Sequence, residues 1–353
     1  MSLETGWAAL RLEMPERVPR TEYSVAEYHF PLIRRVTGLD VDEGSPAEVK
    51  AAARRTFREA WTFDLSWNTL IGADELGEIR TRMGHAAYGE GGSDFNSLQT
   101  QLFADPEEAL EFDPLAMLEK KDTKDLVRRF NENYALQKKL LPDEVPMTGI
   151  YITLMSGLIE IFGWDTLLTA CGIDPERFGE ITDRYAEWMQ RYMEALAESD
   201  AECVMIHDDI VWTSGPFLRP AWYRKYIFPN YKRYFEPILE SGKKLLYTSD
   251  GTYTAFLEDL VETGIQGFVL EPTTDMRAIA ERYGKTHCFI GNADTRILLS
   301  GTQEEIWQEV RRCMDIGKSC PGFFLAVGNH IPANTPVENC LIYEEAYRKL
   351  SRR

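Results

Sequence analysis

Residues 202–251 read ECVMIHDDIVWTSGPFLRPAWYRKYIFPNYKRYFEPILESGKKLLYTSDG. An apolar run, Glu202–Ile210, ends in His207-Asp208-Asp209. A polar turn follows, then a long amphipathic stretch opened by Pro220 and running to Ser241. A second apolar run, Lys243–Gly251, ends in Thr248-Ser249-Asp250-Gly251. Short apolar runs that alternate with helical stretches imply parallel strands joined by right-handed crossover helices.

The unit recurs in both directions. Eight runs are read as strands: Val18–Ser24, Thr62–Leu70, Met147–Met155, Glu202–Ile210, Lys243–Gly251, Gly267–Pro272, His287–Asp294 and Gly322–Ile331. Helices are predicted over Asp122–Leu140, Pro175–Ala197, Pro220–Ser241, Thr252–Thr263, Asp275–Tyr283, Thr302–Gly317 and Val337–Leu350. Another is predicted to run to about Trp61, opened by Ser45-Pro46-Ala47-Glu48 read as a capping box. Eight units predict an α/β fold, a (β/α)8 TIM barrel, as one domain over residues 1–353. A doubly wound open sheet is the competing arrangement, but no GxGxxG turn follows the first run. Residues 71–146, between the second and third runs, are expected to form a helical and loop excursion over the barrel mouth. They include Gly84–Phe95, a glycine-rich loop.

The 353 residues carry 39 Lys+Arg against 57 Asp+Glu, a net charge of −18. So acidic a chain repels phosphate backbones, which argues against nucleic acid as a partner. It has no basic run to grip an anionic membrane. The most apolar long stretch, Val145–Trp164, is interrupted by Thr148, Gly149, Thr153, Ser156, Gly157 and Glu160 and does not read as a membrane span. The opening MSLETGWAALRLEMPERVPR lacks the pattern of a secretory signal, so a cytoplasmic protein is expected. Cys171, Cys203, Cys288, Cys313, Cys320 and Cys340 show no CxxC or metal-type spacing and read as reduced, buried thiols.

In a barrel of this kind the chemistry sits at the C-terminal ends of the strands. Those ends supply Glu22, Trp67, Tyr151, Asp208, Asp209, Asp250, Glu271, Asn292, Asp294, Asn329 and His330. Asp208, Asp209 and Asp250 are the candidate catalytic groups, because crowded carboxylates raise one another's pKa and make an acid or a base near neutral pH. His207 lies inside an apolar run and reads as a core or supporting histidine. His207, Asp208, Asp250 and His330 have ligand chemistry, but no HExxH, His-x-His or Cys/His pair supports a metal, and none is expected. Ser249 is not in GxSxG, and Gly89–Ser93 lacks the Lys-Ser/Thr of a phosphate loop.

Several segments resemble the uroporphyrinogen decarboxylase superfamily, which also holds zinc-dependent, corrinoid-linked methyltransferases. Pro15-Glu16-Arg17-Val18-Pro19 is similar to its first strand. Asp208-Asp209 with Ser214-Gly215-Pro216 and Pro220–Tyr226 with Pro229 are similar to its fourth strand and the helix after it. Leu257–Leu260 to Gly264, then Glu271, resemble its fifth and sixth units, and Gly291-Asn292-Ala293-Asp294 resembles the seventh. Gly328–Pro332 with Thr335–Asn339 resembles the closing turn and last helix. The resemblance implies one (β/α)8 barrel.

The departures bear on function. The Arg-rich loop with which the decarboxylases grip eight carboxylates is replaced by Arg20-Thr21-Glu22-Tyr23-Ser24-Val25, with Arg34-Arg35 farther on, on a helix. The family's site tyrosine falls on Gly157, its fourth-strand serine on Asp209, and the histidine of its closing turn on Asn329. The zinc ligands of the methyltransferase branch fall on Thr248, Asp250 and Asn329, so thiolate zinc is not expected. An acidic rim repels a polyanionic porphyrinogen. With Trp67, Tyr151 and Trp212 it suits a small neutral or cationic substrate. The resulting expectation is methyl transfer from a small methylated substrate to a corrinoid protein, with Asp208, Asp209 or Asp250 as general acid. The alternatives are uroporphyrinogen decarboxylation and a non-catalytic ligand-binding barrel. Expected partners are the substrate, a corrinoid protein and a second copy of the chain as a homodimer. No tightly bound cofactor is expected.

Overall fold

Strand pairing in the computed structural model, which describes residues 2–81 and 100–353, runs in sequence order around a ring. Leu65–Ser66 pairs in parallel with Val145–Ile150, which pairs with Cys203–His207. Lys244–Thr248, Gly267–Val269, Cys288–Ile290 and Phe323–Phe324 follow, each parallel to the one before. Thr69–Ile71 extends the second run against Val145–Ile150 with a shift of register. The first run closes the ring. Leu325 N donates to the Pro19 carbonyl at 2.9 Å and Thr21 N to the Leu325 carbonyl at 3.1 Å, while Asp64 N donates to the Arg20 carbonyl at 2.8 Å. Each of the eight runs therefore contributes to the sheet. The paired portions are shorter than the runs, because the polar residues at the ends turn away from the ladder.

Side chains alternate between two cores, as a strand requires. Leu65, Val145, Met147, Cys203, Met205, Leu246, Cys288, Ile290 and Phe324 fill the barrel interior. Val204, Ile206, Leu245, Tyr247, Phe268 and Phe289 point outward into the layer beneath the helices. Helix Ser2–Leu10, which the sequence reading missed, packs Ala9 and Leu10 against the interior cluster. It comes so close that a Cβ on Gly6 would lie 2.4 Å from the Asp64 carbonyl oxygen.

Most of the predicted helices form, and the differences have local causes. Asp122, Asp174 and Asp275 cap Thr123–Leu140, Pro175–Glu198 and Met276–Tyr283. The stretch Pro220–Ser241 is two helices, Pro220–Tyr226 and Phe228–Glu240, because Pro229 has no N–H to continue the first. Thr252–Thr263 is a 3-10 turn, Thr254–Phe256, followed by Leu257–Glu262. The capping box at Ser45 does not form: Ala47–Ala60 starts without a side-chain cap, and the Ser45 hydroxyl donates to Asp42 instead at 3.0 Å. A reciprocal box forms at Thr302 and Glu305, opening Gln303–Gly317. The longest unanticipated helix is Met155–Ile173, kinked at Gly163. Its first half, Met155–Gly163, is buried all round, so that half carries no amphipathic stripe to read.

The described part of residues 71–146 lies along the outer helix Pro175–Glu198. Asp113 accepts from Arg184 at 2.8 Å, the Glu119 carbonyl from Trp188 at 2.9 Å, and Glu75 from Tyr192 at 3.1 Å. The Gly84–Phe95 loop lies outside the described residues. Among the described residues no helix is long and apolar enough to cross a membrane.

The ring closure depends on a buried carboxylate. Asp64 accepts from Arg17 through both guanidinium nitrogens, at 2.7 and 2.6 Å, and from Arg20 N at 2.7 Å. Asp64→Ala removes all three bonds and is expected to lower the unfolding free energy by about 3 kcal/mol, read by urea denaturation.

Candidate active site

The end of the fourth strand sets the geometry. Asp208 faces outward and is fully buried. Its carboxylate accepts from the backbone N–H groups of Leu154, Met155 and Ser156, at 3.1, 3.0 and 2.6 Å, and from the Tyr231 hydroxyl. It thus serves the buried amides at the start of helix Met155–Ile173, which have no partner within the helix. Burial pushes its pKa up, and these four donors oppose the shift.

Its neighbours face the other way. The His207 ring stacks on Tyr151, with centroids 3.7 Å apart and planes at 11°. Nδ1 lies 3.3 Å from the Tyr151 carbonyl, and Nε2 lies 3.2 Å from Asp209 Oδ1. Both ring nitrogens face acceptors, which suits the doubly protonated imidazolium. Burial works against that charge, but the Asp209 and Asp250 carboxylates outweigh it and raise the His207 pKa to about 9. Asp209 Oδ1 also accepts from Asp250 N at 2.9 Å.

Asp250 ends the fifth strand and lines the mouth, reaching solvent through it. Its carboxyl is pushed up to about 8, first by desolvation among the surrounding walls, then by the charges of Asp209 and Glu271, with His207 opposing. Glu271, from the sixth strand, accepts from Gly251 N and Asn329 Nδ2, each at 2.8 Å. Burial raises its pKa while these two donors lower it. Gly251 has φ +82°, and a Cβ there would stand 2.5 Å from the Trp212 carbonyl group, so the turn that presents its N–H to Glu271 requires glycine. Asn329 Oδ1 accepts from His330 Nδ1 at 2.7 Å, since the Asn329 amide nitrogen is already donating. Burial lowers the His330 pKa.

These groups surround a cavity of about 320 Å³ at the C-terminal ends of the strands. One side is aromatic and aliphatic: Tyr23, Trp67, Tyr151, Val269, Leu270, Ile290, Ala326 and Val327. Trp67 is held by a 2.7 Å bond from its indole N–H to Thr21 and by the edge of Tyr23, with centroids 5.5 Å apart. The rest of the wall is His207, Thr248, Asp250, Glu271, Gly328, Asn329 and His330. No arginine or lysine lines it among the described residues.

Seven of the residues singled out from sequence meet here: Trp67, Tyr151, Asp209, Asp250, Glu271, Asn329 and His330. Five do not. Asp208 is committed to the helix start. Glu22 is fully buried under the eighth strand, accepting from Val327 N at 3.0 Å and the Tyr343 hydroxyl at 2.9 Å. Trp212 packs outside the cavity against Trp164 and Phe217. Asn292 is buried, its amide donating to the carbonyls of Glu271 and Thr274. Asp294 caps helix Thr295–Ser300, and Arg296 lowers its pKa. Sequence reasoning missed Tyr23 and Thr248 as lining residues and left His207 in the core. Strand alternation was the available signal for His207: it shares a face with Asp209.

His207, Asp209 and Asp250 each offer one ligand atom, all within 4.8 Å of one another, and could hold a metal ion. The thiolate zinc set that the family resemblance implies does not fit this chain. Its positions hold Thr248, Asp250 and Asn329, and all six cysteines are buried, none of them lining the cavity.

A family profile described as uroporphyrinogen decarboxylase (URO-D) matches residues 92–350. The chain belongs to that family. It is similar to the uroporphyrinogen decarboxylase of Syntrophotalea carbinolica, with 28% identity over 227 residues, 63% of this chain and 64% of that protein. With the uroporphyrinogen decarboxylase of Thermus thermophilus it shares 30% identity over 159 residues, 45% of each chain. The chain thus spans less than two thirds of the length of these curated relatives. Among solved structures it shares its fold with a methyltransferase from Methanosarcina mazei, at a TM-score of 0.65 and 17% identity, over 99% of this chain and 98% of that one.

Asp208 and Asp250 are separable by stability. Asp208→Ala leaves three amides and a phenol unpaired and is expected to cost about 3–5 kcal/mol. Asp250→Asn behaves oppositely. An acid raised from 3.8 to about 8 in the folded state makes the fold less stable as pH climbs between those values. The asparagine variant is therefore expected to melt with the parent near pH 4 and above it at pH 8, as thermal scans at the two pH values will show.

Proposed function

We propose that this member of the URO-D family transfers a methyl group from a small methylated substrate to a corrinoid protein, with Asp250 protonating the leaving heteroatom. The observation that carries the reading is a cavity walled by Asp250, Glu271 and aromatic rings, with no arginine or lysine among its described lining residues. A porphyrinogen with eight carboxylates would meet Asp209, Asp250 and Glu271, and among the described lining residues only His207, paired with Asp209, carries positive charge against them. A volume of about 320 Å³ also sits at the small end of ligand sites, which run from about 300 to 1,000 Å³. The fold shared with a methyltransferase is compatible with the proposal.

Each residue has a role in this scheme. Trp67, Tyr23 and the aliphatic wall exclude water and hold the substrate body. Asp209 pairs with His207, and its charge helps push the Asp250 carboxyl up to about 8. Asn329 and Gly251 orient Glu271 towards the polar end of the substrate. As the bond from methyl carbon to heteroatom breaks, the electron pair goes to the heteroatom and the Asp250 proton follows it. The corrinoid, presented by its partner, supplies the acceptor for the methyl group.

Candidate methyl ethers, thioethers and amines, mixed with this protein and a reduced corrinoid protein, are expected to change the corrinoid absorbance. Asp250→Asn is expected to lower kcat by about 10²–10⁴-fold. If a broad panel yields no methylation and uroporphyrinogen incubated with the protein loses carboxylates, the methyl-transfer reading is replaced by decarboxylation.

A further inference from the structure

We propose that His207, Asp209 and Asp250 form a nitrogen- and oxygen-ligated site for one first-row divalent cation. An ion with bonds of about 2.1 Å holds its ligand atoms about 3–4 Å apart, close to the separations present here. Within the triad, Nε2 of His207 and Oδ1 of Asp209 stand 3.2 Å apart, and all three ligand atoms lie within 4.8 Å.

Two further observations point to a cation. The first is how His207 is held. The imidazole is more than nine-tenths buried, its face is clamped by the Tyr151 ring, and Nδ1 lies on the Tyr151 carbonyl. A backbone carbonyl on the second ring nitrogen is the support that metal-binding histidines use to fix their tautomer and orientation. It leaves Nε2 aimed at the two aspartates. The second is charge. Asp209, Asp250 and Glu271 converge with one imidazole as the only cationic side chain among the described lining residues, and the Asp250 carboxylate receives no hydrogen bond from a described residue. A divalent ion neutralises this excess directly.

The donor set also selects the ion. Thiolates favour zinc, whereas one imidazole with two carboxylates takes manganese(II), iron(II), cobalt(II) or zinc without that preference. Relative to the thiolate zinc set implied by the family resemblance, the site is moved to the fourth strand, which supplies two of its three ligands. The cation and the Asp250 proton would exclude each other, so a bound ion would stand where the Asp250 proton stands in the methyl-transfer scheme.

Cobalt(II) titrated into the full chain tests this by absorbance and calorimetry, without turnover. One equivalent is expected to bind, with weak d–d bands and no intense sulfur-to-cobalt charge transfer. Asp250→Asn and His207→Gln are each expected to weaken binding by more than about tenfold, the scale on which metal sites respond to a lost partner. Asp294→Asn, at another strand end, is expected to leave it unchanged. Circular dichroism will confirm that the variants fold. Failure of cobalt to bind, unchanged affinity in folded Asp250→Asn, or thiolate charge-transfer bands would each overturn the site. Because no methyl donor or corrinoid is present, failure of cobalt to bind leaves methyl transfer and the acid role of Asp250 standing, whereas binding replaces that acid role and leaves methyl transfer itself to the corrinoid assay.

Discussion

The mouth of this barrel is organised by one buried carboxylate. Asp208 ends the fourth strand facing the helix layer, where three amides of helix Met155–Ile173 and the Tyr231 phenol all donate to it. A buried carboxylate is tolerated only when donors replace its hydration, and here the donors come from two separate helices. Strand, helix start and outer helix are thereby fixed at a single point. Since strand side chains alternate, holding Asp208 outward turns His207 and Asp209 inward to the cavity.

Turning those side chains inward crowds charge into a confined space. Asp209, Asp250 and Glu271 come from three successive strands and cannot all stay ionised at low cost. The His207 ring pairs with Asp209, and the Asp250 carboxyl is pushed up to about 8. The arrangement needs no unusual residue. It needs parallel strands that deliver their ends to the same rim, and a glycine at 251 so that the turn can offer its amide to Glu271. The protein's overall acidity is consistent with this but does not produce it. The effect comes from where a few of its carboxylates lie.

Legibility varied with the kind of information each element carried. The eight strand runs could be read because apolar stretches flanked by polar turns are a local signal. The aspartate-capped helices could be read for the same reason. Helix Met155–Ile173 could not, because its first half, Met155–Gly163, is buried all round and has no periodic pattern. Among site residues, Asp250 and Glu271 were found by their position at strand ends. Position alone could not separate Asp208 from Asp209. Asp294 and Asn292 also sit at strand ends, yet one caps a helix and the other bridges two carbonyls.

The α/β class, the order of the strands and the ring of polar residues at their C-terminal ends are written in the sequence alone. Those properties come from hydrophobic patterning and chain connectivity, which are local. Three-dimensional packing was needed to settle which of those polar groups face a common cavity, that His207 belongs with them, and that Trp212 and Glu22 do not. Facing and burial depend on strand register and on which helix packs behind each strand. The same constraint governs protonation, since the pKa of Asp250 is set by carboxylates from neighbouring strands that lie far from it in the chain.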